Sequence, residues 1–135
     1  MSISGFFHRI VLVTLAAASA AGCYGSPGPL TDPWPEAVKI KFRLDDIRPD
    51  GLRGPPDGLV AVTYEFCVPD NERVYREIRQ IDSGLHIHHG ARGRIGCAAN
   101  QSLTVGETAR PRWHDVLQAL SSLAYVTEIR ECFFE

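Results

Sequence analysis

The sequence predicts a small α+β domain, a two-layer sandwich in which two helices cover one face of an antiparallel sheet. Two kinds of pattern lead to this fold class. Stretches of alternating apolar and polar residues predict half-buried strands, and two segments with apolar residues three or four apart predict amphipathic helices. The order is strand, strand, helix, strand, strand, helix, strand. Without the first strand it is β-α-β-β-α-β, the split, ferredoxin-like arrangement.

The first element is an extra N-terminal strand at residues 38–45, where apolar and charged residues alternate. A period of two places every second side chain on the same face of a strand. The apolar side consists of Val38, Ile40, Phe42 and Leu44. Residues 48–58 are rich in Gly, Pro and Asp, and they therefore predict a long loop.

The next strand, residues 59–68, alternates in the same way and ends before Pro69. Its predicted core side consists of Val60, Val62, Tyr64, Phe66 and Val68, and its opposite side of Thr63, Glu65 and Cys67. A helix follows from a cap at Asp70 or Asn71 to about Asp82, because short polar side chains accept hydrogen bonds from the first helical N–H groups. The apolar stripe of this helix consists of Val74, Ile78 and Ile81.

The second half of the domain contains three further strands and one helix. Strands are predicted at residues 85–89, 103–107 and 125–134. In the first of these, Leu85 and Ile87 point inward, and His86 and His88 point outward. Pro111 suits the first turn of the second helix, where a missing N–H costs nothing. The apolar face of this helix consists of Trp113, Val116, Leu117, Leu120 and Leu123.

Composition and charge narrow the functional classes. The chain has 135 residues, of which 44% are hydrophobic and 22% charged, and this composition is typical of one globular domain. The formal net charge of −2 provides no basic field for nucleic acid. Nucleic acid is therefore not an expected partner.

The N-terminus carries a targeting signal. Residues 10–21 form an apolar run without charge, which is shorter than the roughly 20 residues of a membrane-spanning helix and typical of a secretory signal peptide. The run leads into Ala-Ala-Gly-Cys at residues 20–23. This segment resembles the lipobox of bacterial lipoproteins. The resemblance covers residues 1–23 alone, and it implies that residues 1–22 are removed and that Cys23 becomes a lipidated N-terminus.

The resemblance also implies a location. Asp after the lipidated cysteine tends to retain a lipoprotein at the inner membrane, so Tyr24 implies the outer membrane, facing the periplasm, in bacteria with two membranes. An Ala-Ser-Ala cleavage site at residues 18–20 leaves ordinary secretion open, with Cys23 as a free thiol. Residues 23–37 contain four prolines and predict an extended tether, and residues 38–135 form the single α+β domain.

Three cysteines remain for an oxidising compartment once the N-terminal one is lipidated. In the predicted topology the strand at 103–107 lies antiparallel to the strand at 59–68, and this brings Cys97 close to Cys67. Cys132 lies about 20 Å from Cys67 along the neighbouring strand, too far for a disulfide. The sequence therefore predicts a Cys67–Cys97 disulfide and a core role for Cys132. Three buried, unpaired thiols are the alternative.

Two histidines form a candidate metal site. His86 and His88 lie two residues apart in a strand and point off the same face. Two imidazoles at this spacing can share a metal ion, with Cys97 or Glu65 as a further ligand. No second paired motif completes the set, and a solvated His-rich strand is the alternative.

Four arginines form a candidate anion site. Arg92 and Arg94 lie in a glycine-rich stretch, and Arg110 and Arg112 precede the second helix, with Glu107 as the one acid between residues 84 and 114. Guanidinium groups beside open glycine backbone suit phosphate or carboxylate. An anionic ligand is therefore expected at these arginines, with His88 in support. A flexible, solubilising loop is the alternative.

The sequence contains no nucleophile elbow, no P-loop and no readable pair of acidic catalytic residues. No catalytic residue and no cofactor is therefore predicted, and an enzyme is the less favoured class. The sequence predicts a lipid-anchored cell-envelope protein with a small, non-catalytic binding or structural domain. Its expected partners are the membrane, through the anchor, and an envelope protein or an anionic envelope ligand. A metal-binding envelope protein using His86 and His88 is the alternative.

Overall fold

The computed structural model describes residues 39–133. This part of the chain is an α+β domain with two helices, a four-stranded antiparallel sheet and a two-stranded hairpin. The hairpin consists of β1 (Leu52–Arg53) and β2 (Val60–Ala61). The sheet consists of β3 (Thr63–Pro69), β4 (His86–His88), β5 (Gln101–Glu107) and β6 (Ile129–Glu131). The helices are α1 (Glu72–Ile81) and α2 (Trp113–Ser122).

Neither of these two helices has the length and apolar character needed to cross a membrane. The signal, lipidation and tether predictions lie outside the described residues.

The sheet has the strand order β4-β5-β3-β6. The central strand β3 pairs with β5 over its whole length, from Thr63 opposite Glu107 to Pro69 opposite Gln101. The two edge strands β4 and β6 each make three residue pairs with their neighbours. From β3 onward the chain runs strand, helix, strand, strand, helix, strand, as the sequence predicts.

One face of the sheet packs into the main hydrophobic core together with both helices. The strand side of this core consists of Val62, Tyr64, Phe66, Val68 and Ile129, and the helix side of Tyr75, Ile78, Trp113, Leu117 and Leu120. The predicted core side of the 59–68 strand is therefore correct except for Val60, which is 59% exposed. Val60 belongs to the hairpin, since the chain leaves the β3 ladder at Val62.

Helix α1 begins where the sequence predicts. Asn71 is its N-cap, and the side-chain Oδ1 accepts a hydrogen bond from the N–H of Arg73 at 2.8 Å. Asp82 ends the helix. The predicted apolar stripe of this helix omits Tyr75, which is fully buried. Two of its predicted members, Val74 and Ile81, are only partly buried.

The predicted N-terminal strand at 38–45 is wrong within the described residues. Ile40 makes a single parallel bridge to Ile129, and no further ladder follows. The alternation still determines burial, since Phe42 and Leu44 pack against the core while Lys41, Arg43 and Asp45 are exposed. A turn closed by the hydrogen bond from Ile47 N to the Leu44 carbonyl ends the extended path.

The last strand is shorter than the predicted 125–134. β6 contains only three residues, because the chain from Leu123 to Val126 forms the turn that connects α2 to the sheet. Beyond β6, the N–H of Cys132 still donates to the carbonyl of Thr63 at 2.8 Å. The chain therefore follows β3 to its first residue.

Candidate functional site

The sheet has a second face that carries polar and titratable side chains. Directly opposed residues of antiparallel strands share a face, so the pairs His86–Val105 and His88–Leu103 lie on the side away from the helices. Glu65, opposite Val105, belongs to the same side. We call this the second face, and its β3, β4 and β5 members are Thr63, Glu65, Cys67, His86, His88, Leu103, Val105 and Glu107.

A disulfide-bonded loop, residues 91–97, packs onto part of the second face. Cys67 and Cys97 form a disulfide with their Cα atoms 5.4 Å apart, the pairing that the strand arrangement predicts. Cys97 is fully buried and clusters with Leu103 and Val105, and Ile95 packs against this cluster. We call residues 91–97 the disulfide loop.

The disulfide loop buries Glu65, which is 2% exposed. One carboxylate oxygen of Glu65 accepts a hydrogen bond from the backbone N–H of Ile95 at 2.7 Å. A Cβ atom at Gly93 would lie 2.8 Å from the other oxygen, and Gly93 has a φ of +61°. Glycine is therefore required for the loop to approach this carboxylate.

Two cavities adjoin on the second face. The first, about 470 Å³, lies between the sheet, the disulfide loop and Phe133, and Glu65 and Arg94 are among its lining residues. The second, about 400 Å³, lies toward Arg110. His88 and Val105 line both cavities. The two cavities therefore lie side by side on the second face, and we call them together the groove.

His86 and His88 both lie exposed on the second face, as predicted. Cys97 was expected as a possible third metal ligand, and this is wrong because its sulfur is bonded to Cys67. Among residues 39–133, no group of three His, Cys, Asp or Glu side chains is placed to hold a metal ion. The metal site at His86 and His88 stays a prediction with two ligands.

The four predicted anion-binding arginines occupy two different environments. Arg110 forms an ion pair with Asp82, and Arg112 forms one with Asp115 at 2.7 Å. Arg92 and Arg94 are exposed in the disulfide loop. The side chain of Arg92 donates to the Cys97 carbonyl at 3.3 Å, and Arg94 lines the larger cavity. Anion binding stays a prediction for this loop, where the guanidinium groups have no carboxylate partner among the described residues.

A second polar cluster joins side chains that lie far apart in the sequence. The Tyr75 hydroxyl hydrogen-bonds to Asp70, lies 2.7 Å from Ser102 Oγ and 3.3 Å from His89 Nδ1. The Tyr75 hydroxyl also lowers the pKa of the Asp70 carboxyl, with smaller contributions from His89 and Ser102. No local sequence signal links these four positions, and the sequence patterns therefore missed the cluster.

The geometry of this cluster differs from that of a catalytic triad. Ser102 Oγ and Asp70 Oδ1 each lie 3.5 Å from the same ring nitrogen, His89 Nδ1. A triad needs the acid and the nucleophile on opposite nitrogens of the imidazole. Ser102 is also fully buried and, unlike Glu65, lines neither of the two cavities, so a substrate cannot reach its hydroxyl. The cluster is therefore structural.

Cys132 is the free thiol of the described chain and lies at the rim of the larger cavity. Burial raises its pKa, and the charge of Glu65 and a hydrogen bond to that carboxylate raise it further. The thiol is consequently protonated at neutral pH, and only the thiolate is a strong nucleophile. Cys132 is only partly buried and belongs to neither hydrophobic cluster, so the core role that the sequence predicts is wrong.

The chain matches no family model, no curated protein and no solved structure.

Proposed function

We propose that this protein is a lipid-anchored cell-envelope protein whose small α+β domain is a non-catalytic binding module. The anchor is supported by the apolar run, by Cys23 at its end and by the proline-rich residues 23–37. The Cys67–Cys97 disulfide adds support, because disulfides persist in oxidising compartments outside the cytoplasm. In bacteria with two membranes, the outer membrane facing the periplasm is the proposed location.

The binding role rests on one observation, the groove of two adjoining cavities on the second face. Ligand sites are concave, and they combine apolar walls with a few polar groups. The groove has Leu103 and Val105 in its wall and Glu65, His88 and Arg94 at its polar positions. An envelope protein or an anionic envelope component is the proposed partner.

We further infer that β3 to β6 and both helices form a ferredoxin-like domain. The strand order β4-β5-β3-β6 and the chain order strand, helix, strand, strand, helix, strand support this assignment. The assignment matters for function because both helices cover the other face of such a sheet. The part of the second face that the disulfide loop leaves uncovered is then available for a partner.

Lipidation is tested by metabolic labelling with a fatty-acid analogue. Wild-type protein and the Cys132→Ser variant should both take up the label, while Cys23→Ser should take up none. The Cys132 variant is the matched control, since it also removes one thiol. Label on the Cys23→Ser variant, or none on wild type, contradicts the anchor.

The binding face is tested by site-specific photo-crosslinking in living cells. A crosslinker at His86, on the second face, should yield a discrete adduct with an envelope component. One at Arg76, on the exposed side of α1, is the control and should not yield this adduct. Equal adducts from both positions, or none from His86, contradict the proposed binding face.

A further inference from the structure

The larger cavity has the size and the walls of a small-molecule site. Its volume of about 470 Å³ lies within the range of about 300–1,000 Å³ that is typical of ligand pockets. Leu103, Val105 and Phe133 provide apolar surface, and Phe133 is 58% exposed in the described structure. A ligand with an apolar body would cover this surface.

A buried carboxylate lies at one position of the cavity wall. Glu65 uses one oxygen for the N–H of Ile95 and also accepts from the Cys132 thiol. An ionised carboxylate accepts about four hydrogen bonds, so acceptor capacity remains. A purely anionic ligand would place a second negative charge beside this group at low dielectric, which is unfavourable.

A guanidinium group lies at another position of the same wall. Arg94 lines the cavity and has no carboxylate partner among the described residues. Its positive charge lowers the pKa of the Cys132 thiol on the cavity rim. Burial and Glu65 raise the same pKa more strongly. A purely cationic ligand would meet repulsion from Arg94.

We propose that this cavity binds a zwitterion with an apolar body, namely an apolar α-amino acid or dipeptide. The ammonium group is directed to Glu65 and the carboxylate to Arg94, and the side chain covers Leu103 and Val105. The chemistry follows from the two opposite charges on one apolar wall. The assignment rests on the proposed binding function of the second face, and it gives the larger cavity a zwitterionic ligand in place of an anionic one.

The probes are leucine, leucyl-leucine and two capped forms of leucine, titrated calorimetrically into the full chain in detergent. Leucinamide lacks the carboxylate, and N-acetyl-leucine lacks the ammonium group. We expect leucine, leucyl-leucine or both to bind, and each capped form to bind at least tenfold more weakly than leucine. Binding of leucyl-leucine alone supports the dipeptide as the ligand.

Three variants assign each charge to its partner. Arg94→Gln should weaken leucine binding at least tenfold and leave leucinamide binding unchanged. Glu65→Gln should weaken leucine binding at least tenfold and leave N-acetyl-leucine binding unchanged, and its glutamine oxygen can still accept from Ile95. Arg79→Gln, on the exposed side of α1 and outside the cavity lining, should change neither. The exposed Arg94 gives a test that is independent of folding.

Several outcomes overturn the proposal. They are the absence of binding by leucine and by leucyl-leucine, equal binding of either capped form, and retained leucine affinity in Arg94→Gln. Equal binding of N-acetyl-leucine indicates an anion site, and equal binding of leucinamide a cation site. A crosslinked partner at His86, together with no binding of leucine or of leucyl-leucine, retains the binding module but rejects the zwitterion.

Discussion

The guanidinium of Arg110 pairs with the carboxylate of Asp82, and this contact joins the end of α1 to the segment before α2. The Asp82 side chain is 5% exposed and that of Arg110 is 22% exposed. The same Asp82 oxygen accepts the backbone N–H of Gly84 at 2.8 Å. A Cβ atom at Gly84 would lie 2.4 Å from Arg110 Nη1, so glycine leaves room for the guanidinium. Arg110 therefore has an internal role in the fold.

Removing Arg110 should destabilise the domain. Arg110→Met leaves the buried Asp82 carboxylate without its counter-charge, and breaking a buried pair in this way costs about 2–4 kcal/mol when one partner is partly exposed. Arg43→Met is the control, because Arg43 pairs with Asp46 at the surface, where such pairs contribute about 0–1 kcal/mol. Urea unfolding measures both. Equal losses in the two variants would contradict a structural role of the Arg110–Asp82 pair.

Two buried threonines should respond to valine in opposite ways. Thr108 Oγ1 donates to the Gly51 carbonyl at 2.6 Å and accepts from the Val62 N–H at 2.9 Å. Thr108→Val leaves both backbone groups unpaired, and we expect a loss of about 2–3 kcal/mol. Thr104 Oγ1 is buried without a partner among the described residues.

Thr104→Val is therefore the matched control, since it removes an unpaired buried hydroxyl with little change in volume. We expect it to be neutral or to stabilise the domain by about 1 kcal/mol. Thermal unfolding of the two variants gives the comparison. A loss at Thr104 as large as that at Thr108 would indicate that the Thr104 hydroxyl has a partner.

The sequence predicts those parts of the fold that depend on interactions between residues close together in the chain. The cap at Asn71 depends on local hydrogen bonding, and the inward side of β3 depends on alternation. The Cys67–Cys97 pairing follows once β3 and β5 are placed antiparallel. In each case a short-range rule and one topological assumption are sufficient.

The missed features depend on contacts between distant segments. Arg110 meets Asp82 across 28 positions, and Tyr75 meets Ser102 across 27. Glu65 alternates like a solvent-facing residue, but the loop that buries it arrives 30 positions later. Periodicity predicts which side of an element faces the core, and it contains no information about what covers the other side.

Acid stability should depend on Tyr75. The pKa of Asp70 lies below its usual value, mainly because the Tyr75 hydroxyl donates a hydrogen bond to the Asp70 carboxylate. A lowered pKa in the folded state contributes stability above the unfolded-state pKa of about 3.9, and this contribution is lost as the pH falls through the folded value. Tyr75→Phe should therefore raise the Asp70 pKa toward its usual value, measured by NMR titration.

Tyr125→Phe is the control for this titration. The Tyr125 hydroxyl donates to Glu77 at 2.9 Å, so this variant removes a comparable bond from another carboxylate. It should leave the Asp70 pKa unchanged. A Tyr75→Phe protein with an unchanged Asp70 pKa would show that His89 and Ser102 alone lower it.

Loss of the disulfide should cost a large part of the domain's stability. Cys67 and Cys97 are separated by 30 positions, and closing a loop of this length contributes about 3–4 kcal/mol in the chain-entropy description. Cys97→Ser should reduce the free energy of unfolding by this amount, measured in urea without reductant. Cys132→Ser is the control and should lose less than about 1 kcal/mol, since a hydroxyl can still donate to Glu65. Equal losses would argue against a cross-link.

Glycine at position 112 should stabilise the domain. Arg112, the N-cap of α2, has a φ of 58°, a left-handed conformation that costs a residue with a side chain about 1–2 kcal/mol. Glycine adopts this conformation freely, while the lost surface pair with Asp115 contributes less than about 1 kcal/mol. We therefore expect Arg112→Gly to gain about 0.5–1 kcal/mol. Arg112→Ala loses the same pair but keeps the Cβ atom, so it should gain nothing. If thermal unfolding finds the two variants equally stable, the left-handed backbone at this position carries no measurable strain.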